Sequence, residues 1–146
     1  MLVALIIANG SRVRLKRFWK KLDGDQLSEA RLQEILKLVS SRKSEMSSIM
    51  DFEELIVIHR KFASLNFIAL CLPPENEFAV LEFLQYFVEA LAAQFESLAE
   101  IDIMFQLDKV YMLLDELVSN GSIVQTSKVG AIQAVSLIER GGPVVK

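Results

Sequence analysis

Residues 52–74, FEELIVIHRKFASLNFIALCLPP, decide the fold of this chain. Leucine, isoleucine, valine and phenylalanine dominate the stretch, and the branched and aromatic residues among them suit the pleated surface of a sheet. We predict two strands here, Phe52 to Phe62 and Ser64 to Leu72, with a short additional strand at 49–51. Pro73-Pro74 ends the sheet region, because proline has no N–H to donate to a strand ladder.

The N-terminus predicts the rest of the sheet. The stretch before Asn9-Gly10 is almost wholly apolar, as expected of a strand that is covered on both faces. Asn9-Gly10 itself is a strong hairpin signal. Basic and apolar residues alternate over 12–19, which predicts a half-buried second strand with Arg12, Arg14 and Lys16 on one face.

Apolar residues recur at helical spacing in the remaining segments, which predicts three amphipathic helices. The three predicted helices are residues 25–42, Glu75 to about Leu98, and Ile101 to Ser119. Ser28 or Asp25 could be the N-cap of the first helix. Asp102 could be the N-cap of the third helix, and Asn120-Gly121 its stop. The order of strand, strand, helix, strands, helix and helix is typical of an α+β domain, with an antiparallel sheet and helices on its faces. We expect one domain over residues 1–140, with a short helix at 128–140 and a flexible tail at 141–146.

The composition indicates a protein that binds other proteins. Hydrophobic residues make up 52% of the 146 residues and the formal net charge is −3, while the mean hydropathy is +0.35. No apolar run is long enough to span a bilayer, so the surplus apolar surface favours a protein partner. The acidic balance does not suggest nucleic-acid binding. The N-terminus lacks a basic leader, and we expect a cytosolic protein.

The sequence contains no recognisable catalytic or metal constellation, so we predict that the protein is not an enzyme. His59 is the only histidine and Cys71 the only cysteine, too few for a zinc site or an internal disulfide. The Asp23-Gly24-Asp25 segment is interpreted as a turn, since the spacing of a calcium loop is missing. We therefore expect no cofactor and no metal.

Several ordered segments resemble the sigma, or small, subunits of clathrin-adaptor-type complexes. The segments that carry this resemblance are RLKRFW at 14–19, IHRKFASL at 58–65, the helix at 76–89, EIDIMF at 100–105 and GSIVQT at 121–126. Within that family, residues 100–109 and 120–124 look closest to the sigma subunit of the fourth adaptor complex. The first complex and the related TSET coat are near alternatives. Departures from the family pattern are His59, Phe62 and Gln125.

The resemblance implies a longin (profilin-like) fold with five antiparallel strands and three flanking helices. It also implies a small subunit of a heterotetramer that acts in vesicle-mediated protein transport. The expected partners are a large adaptin of gamma, alpha, delta or epsilon type, a second large subunit, a medium subunit, and an Arf-family GTPase through the complex. The expected location is cytoplasmic, peripheral on Golgi, trans-Golgi network, endosomal or plasma-membrane coats, the last of these in endocytosis.

By the same resemblance, a pocket for acidic dileucine sorting signals of membrane cargo is expected. Its residues here are Ala63, Leu65, Val88, Ser97, Leu98, Ile101 and Ile103, with Arg14 recognising the acidic residue. Each of the apolar residues could equally belong to the hydrophobic core. The basic residues between Arg12 and Lys21 leave three roles open: a cation for acidic cargo, contact with anionic lipid, or a solvated face.

A second class of function is a longin domain that is not an adaptor subunit. Longin domains also occur in small-GTPase regulators and in SNARE proteins. A SNARE would add a heptad segment and a membrane anchor, and the residues up to Lys146 contain neither. The motif series and the surplus apolar surface favour the adaptor small subunit.

Overall fold

A computed structural model describes most of the chain. The described residues are 2–20, 28–43, 46–73, 76–95, 99–119 and 121–123. The predicted helix at 128–140 and the predicted tail at 141–146 lie outside them. Within the described residues, no helix is long and apolar enough to cross a membrane.

Seven strands and four helices are found in the part of the chain that the structure describes. In chain order they are β1 Leu2–Asn9, β2 Arg12–Phe18, α1 Glu29–Ser41, β3 Ile49–Phe52, β4 Leu55–Phe62, β5 Leu65–Cys71, α2 Glu77–Gln94, α3 Glu100–Phe105, α4 Leu107–Leu117, β6 Val118–Ser119 and β7 Ser122–Ile123. Five strands form one sheet in the order β2-β1-β5-β4-β3, and all its neighbours are antiparallel. The α+β class and the five-stranded antiparallel sheet are confirmed.

The sheet is covered on both faces. On one face, α1 contributes Leu32, Ile35, Leu36 and Val39 to a core shared with alternate residues of β1 and β5. On the other face, α2, α3 and α4 bury their apolar sides against the remaining residues of those strands. Every residue of β5 is buried, and so is β1 except for its last residue. These two central strands therefore lack a polar face, as the run of apolar letters predicts.

Short turns set the ends of the strands. β1 and β2 are joined by Gly10 and Ser11, and Gly10 has φ 59, a left-handed conformation that glycine adopts without a Cβ clash. The predicted strand from Phe52 to Phe62 is wrong at its start. Phe52 belongs to β3, and Glu53, with φ 55, lies in the turn before β4. Ala63, also with φ 55, lies in the turn between β4 and β5.

A bulge changes which residues of β2 share a face. Ile7 pairs with Leu15 but Ala8 pairs with Val13, so Arg14 is the extra residue. Lys16 lies opposite Ile6, a core residue on the α1 side of the sheet. The predicted common face for Arg12, Arg14 and Lys16 is therefore wrong, because the extra residue reverses the alternation beyond it.

The first two helices are capped as their sequences indicate, though both are shorter than predicted. Ser28 Oγ accepts the Arg31 N–H at 3.2 Å at the start of α1, while Asp25 lies outside the described residues. Asn76 Oδ1 accepts the Ala79 N–H at 3.1 Å at the start of α2. Each side chain satisfies an N–H that the helix itself leaves without a partner.

The predicted single helix from Ile101 to Ser119 is wrong. It is divided at Gln106, whose φ of −127° and ψ of 41° are not helical. Its N–H still donates to the carbonyl of Asp102 at 3.0 Å, and its own carbonyl accepts the Val110 N–H at 3.2 Å, so Gln106 continues the hydrogen bonding of both helices. Asp102 is not the N-cap either. It is the third residue of α3, and its carboxylate accepts the Ala99 N–H at 3.0 Å.

The end of α4 runs into a second, two-stranded element. Val118–Ser119 pair with Ser122–Ile123, and Gly121, with φ 86, lies in the turn between them. The Leu2 N–H donates to the carbonyl of Gly121 at 2.9 Å, which ties this element to the start of β1. The predicted stop at Asn120-Gly121 thus marks a hairpin turn rather than the helix end, which is Leu117.

Candidate functional site

The structure places the residues of the predicted dileucine pocket at the α2–α3 side of the sheet. Leu65 begins β5, Val88 lies in α2 and Ile103 lies in α3, and all three belong to one hydrophobic core. Their side chains are buried. The arrangement brings these three predicted residues to one core, but as packed interior rather than as walls of an open pocket.

The other predicted pocket residues are less enclosed. Ala63 is exposed in the turn between β4 and β5. Ile101, in the first turn of α3, is 57% exposed. Ser97 and Leu98 lie outside the described residues. A leucine side chain could therefore contact Ala63 and Ile101 directly, whereas Leu65, Val88 and Ile103 would have to move to receive it.

Arg14, the predicted partner of an acidic signal residue, is paired within the chain. Its guanidinium forms an ion pair with the Glu100 carboxylate at the start of α3. The other oxygen of that carboxylate accepts the Asn9 side-chain N–H at 2.9 Å. The hydrogen bonds from Asn9 and Arg14, in that order of importance, lower the pKa of Glu100 below its usual 4.5. The cation thus already has an acidic neighbour.

A second set of contacts fixes β2 against α4. The Arg17 guanidinium pairs with Asp115 and lies 5.1 Å from the centre of the Tyr111 ring. The Tyr111 hydroxyl donates to the carbonyl of Lys16 at 3.0 Å. Beyond the bulge, Arg17 lies opposite Leu5, a residue of the core on the α4 side of the sheet. Sequence alternation alone did not predict these pairings.

Three apolar side chains remain exposed on α3. Ile101, Met104 and Phe105 are 57%, 51% and 79% exposed. Phe78, near the start of α2, is 75% exposed. Such a concentration of large apolar side chains on a six-residue helix is unusual for a surface that faces water. It gives the predicted surplus of apolar surface a location.

Cys71 and the possible metal-ligating side chains are the candidates for chemistry in this chain. Cys71 is buried in β5, and burial raises the pKa of its thiol to about 12, which keeps it protonated and unreactive at neutral pH. No group of acidic, histidine or cysteine side chains among the described residues could hold a metal ion. The Asp23-Gly24-Asp25 segment lies outside those residues.

Comparison with known proteins identifies the family. The model of the family described as clathrin adaptor complex small chain matches residues 1–141. This chain belongs to that family. Among similar adaptor small chains, mouse AP-4 complex subunit sigma-1 is 34% identical over 137 residues, covering 93% of this chain and 94% of the mouse protein. AP-4 complex subunit sigma of Arabidopsis thaliana is 31% identical over 138 residues, covering 93% and 94%.

Adaptor small chains of other complexes are also similar. Human AP-1 complex subunit sigma-1A is 30% identical over 131 residues, covering 90% of this chain and 82% of the human protein. The fold matches a chain of a homology model of the full-length AP-3 complex in a stretched open conformation, with a TM-score of 0.75 and 25% identity over 97% of this chain and 95% of that chain. The predicted small-chain family and longin-like fold are confirmed.

Proposed function

We propose that this adaptor small chain is the small subunit of a heterotetrameric vesicle coat, joined to a large adaptin, a second large subunit and a medium subunit. The single observation that carries this is the exposed apolar surface of α3 in a chain of this family. Ile101, Met104 and Phe105 lie on one short helix and would lose their water contact in an assembly. Burying each would contribute about 1.5–3 kcal/mol before ordering costs.

Co-purification tests the assembly. The tagged chain is expressed in cells of its source, isolated, and its partners are identified by mass spectrometry. A large adaptin-like chain and a medium chain should be recovered in stoichiometric amounts. Recovery of the chain alone would contradict the proposal and would leave a GTPase-regulating longin domain to be tested by nucleotide exchange.

The surface variant Met104→Ser/Phe105→Ser localises the contact. Both side chains are exposed, so the chain should fold normally while losing the large subunit from the co-purified complex. The matched control is Phe78→Ser, which removes an equally exposed aromatic residue from α2. Equal loss of the large subunit in both variants would show that non-specific hydrophobic contact, and not α3, binds the large subunit.

We further propose that the assembled coat acts in intracellular protein transport as a peripheral membrane complex recruited through an Arf-family GTPase. The candidate membranes are those of the Golgi, the trans-Golgi network, endosomes and the plasma membrane. Fluorescent tagging of the chain, with and without inhibition of Arf activation, tests this. Unchanged membrane staining after inhibition would contradict recruitment by an Arf GTPase.

The binding of acidic dileucine signals remains a proposal, and the structure adds a condition that such binding must meet. Leu65, Val88 and Ile103 are closed, and Arg14 is paired with Glu100. Signal binding therefore requires α3 to shift, so that two leucines enter and Arg14 exchanges the Glu100 carboxylate for that of the signal. We expect that shift in the assembled complex, where α3 has a partner.

Ala63→Asp tests the pocket without disturbing the core. Ala63 is exposed with φ 55, a conformation that aspartate tolerates better than most residues. The new charge should abolish binding of an acidic dileucine peptide to the assembled complex, and Ala63→Asn is the neutral control. Binding that is equal in both variants would remove Ala63 from the pocket. Val88→Asp is a poorer test, because Val88 is buried and the variant would also lose stability.

A further inference from the structure

A cavity of about 590 Å³ lies on the α1 side of the sheet, and none of the residues of the predicted dileucine pocket is in its lining. It is bounded by the β1–β2 turn, the end of α1, residues 42–43, 46 and 48, the end of β4 and the start of β5. Arg42, Lys43, His59 and Lys61 are among the residues that line it, together with the polar residues Ser64 and Asn66. We call this space the basic cavity.

The charge of the basic cavity is one-sided. Its described lining residues include Arg42, Lys43, Lys61 and His59, but no aspartate or glutamate. Arg60 also borders it, with its guanidinium directed to α2 on the other face of the sheet. This is unexpected in a chain whose formal net charge is −3. Cations gathered without a carboxylate repel one another, and an anion in the cavity would relieve that repulsion.

Two of the cations have structural partners and two do not. Arg42 donates to the carbonyl of Ser47 at 2.8 and 3.1 Å. Arg60 Nε donates to Gln85 of α2 at 3.1 Å, which takes its guanidinium to the other side of the sheet. No acceptor for the side chain of Lys43 or Lys61 is found among the described residues. These two ammonium groups are the ones that an incoming anion could reach.

His59 adds an unpaired polar atom to the same wall. Its Nε2 is buried and has no hydrogen-bond partner among the residues that the structure describes. The described charged groups that face it in the cavity are Arg42 and Lys43 after α1 and Lys61 of β4, all cationic, while the Arg60 guanidinium lies on the α2 side of the sheet. Burial, and then the charge of Arg42, lower the pKa of His59 below 6.5. A nearby anion would reverse the second effect.

The dipole of α1 does not account for this cluster. Its C-terminal carbonyls favour a nearby cation, and Arg42 and Lys43 follow that end. Arg42, with its guanidinium held at the Ser47 carbonyl, is sufficient for this purpose. Lys61 and His59 come from β4, which has no such dipole, so their presence in the cavity needs another explanation.

We propose that the basic cavity binds a small molecule that carries phosphate groups. Phosphate offers several acceptor oxygens and a double negative charge, which match two lysines and nearby hydroxyl and amide donors. The volume exceeds that of a single phosphate and lies within the range of small-molecule sites. The phosphate-bearing molecule could be free in solution or be the headgroup of a lipid. This site is independent of the proposed reading of sorting signals.

Binding is measured with the full chain by isothermal titration calorimetry. The probes are inorganic phosphate, inositol hexakisphosphate, and vesicles of phosphatidylcholine with or without a phosphatidylinositol phosphate. Lys43→Gln/Lys61→Gln should bind inositol hexakisphosphate at least about tenfold more weakly, since each lysine supplies a charge-assisted hydrogen bond. Lys16→Gln/Lys20→Gln changes the net charge equally outside the cavity and should bind as the unaltered chain does.

The outcomes distinguish a soluble ligand from a lipid headgroup, and specific binding from general attraction of anions. Tighter binding of inositol hexakisphosphate than of phosphatidylinositol phosphate vesicles indicates a soluble ligand, and the reverse order indicates a lipid headgroup. Equal weakening in both double variants shows only general attraction of anions and overturns the proposal. The absence of binding by every phosphate-bearing probe also overturns it.

His59 provides a second readout that does not depend on a variant. It is the only histidine in the chain, so an untagged sample has one imidazole signal in its NMR spectrum. Saturating inositol hexakisphosphate should raise the pKa of that imidazole, because the anion stabilises the protonated ring. An unchanged titration curve would place the bound anion elsewhere and overturn the assignment to this cavity.

Discussion

Glu100 at the start of α3 forms an ion pair with Arg14 in β2, across a sequence separation of 86 residues. Arg14 is the extra residue of the bulge in β2, and Asn9 donates to the other oxygen of the carboxylate. The isolated chain therefore carries its own acidic partner at the position where an acidic signal residue is proposed to bind. A signal peptide must compete with Glu100 for the same guanidinium.

Glu100→Gln removes that competition. The neutral amide leaves Arg14 without a charged partner, so the assembled complex should bind an acidic dileucine peptide several-fold more tightly. A peptide with alanine in place of the acidic residue should be unaffected. Fluorescence anisotropy with labelled peptides measures both. Glu34→Gln, an exposed change on α1, is the control, and an equal gain there would mean that net charge alone is responsible.

Alanine variants of the two isoleucines of α3 should have different effects on stability and on assembly. Ile103 is buried, so Ile103→Ala should lower the free energy of unfolding by about 2–4 kcal/mol. Ile101 is 57% exposed, so Ile101→Ala should cost less than about 0.5 kcal/mol. Urea denaturation measures both variants. Ile101→Ala should instead weaken co-purification of the large subunit. Equal destabilisation by the two changes would contradict the orientation of α3.

Tyr111→Phe removes one hydrogen bond between α4 and the bulged strand. The ring stays in place beneath Arg17, and only the hydroxyl bond to the carbonyl of Lys16 is lost. We expect a loss of about 0.5–1 kcal/mol in the free energy of unfolding, measured by urea denaturation. Tyr111→Ala should cost clearly more, because the ring contact is lost too. Indistinguishable values would show that the ring adds nothing.

Acid should weaken the fold in two separate ranges of pH. The pKa of His59 is lowered by burial, so the unfolded chain binds this proton more readily than the folded chain. Its contribution to stability is therefore present above about pH 6.5 and declines as the pH falls through the folded value. The pKa values of Glu54 and Glu100 are lowered from 4.5, so their contributions decline only below that pH.

His59→Gln should remove the first of these declines and leave the second. Urea denaturation is measured at a series of pH values for the variant and the unaltered chain. The difference between their free energies of unfolding should change with pH near and below 6.5 and become constant in the more acidic range. A difference that does not change with pH would show that His59 titrates alike in the folded and unfolded states.

The hydrophobic pattern predicted the sheet well, because the residues within each strand are enough to identify it. The apolar runs before Asn9 and around Phe67 could be buried only as central strands, and they are β1 and β5. The break at Gln106 was not predictable in this way. Ile103 and Val110 are seven residues apart, a spacing that suits one continuous helix as well as two short ones. No glycine or proline marks the division.

The candidate site was harder to predict, because the same type of apolar residue can either line a pocket or fill a core. Leu65, Val88 and Ile103 look alike in either role, and only packing shows that they are enclosed. The pairing of Arg14 with Glu100 depends on a single extra residue in β2 and on contact with a distant helix. Neither can be derived from the alternation of residues along one strand.

The bulge at Arg14 also determines how this hairpin can tolerate changes in length. An added residue beside Gly10 would extend an exposed turn and leave the strand alternation intact. Deleting Arg14 would instead restore a regular ladder but leave Glu100 without its cation. Families of such chains should therefore differ in length at the tip of the hairpin and keep a constant spacing from Val13 to Arg17.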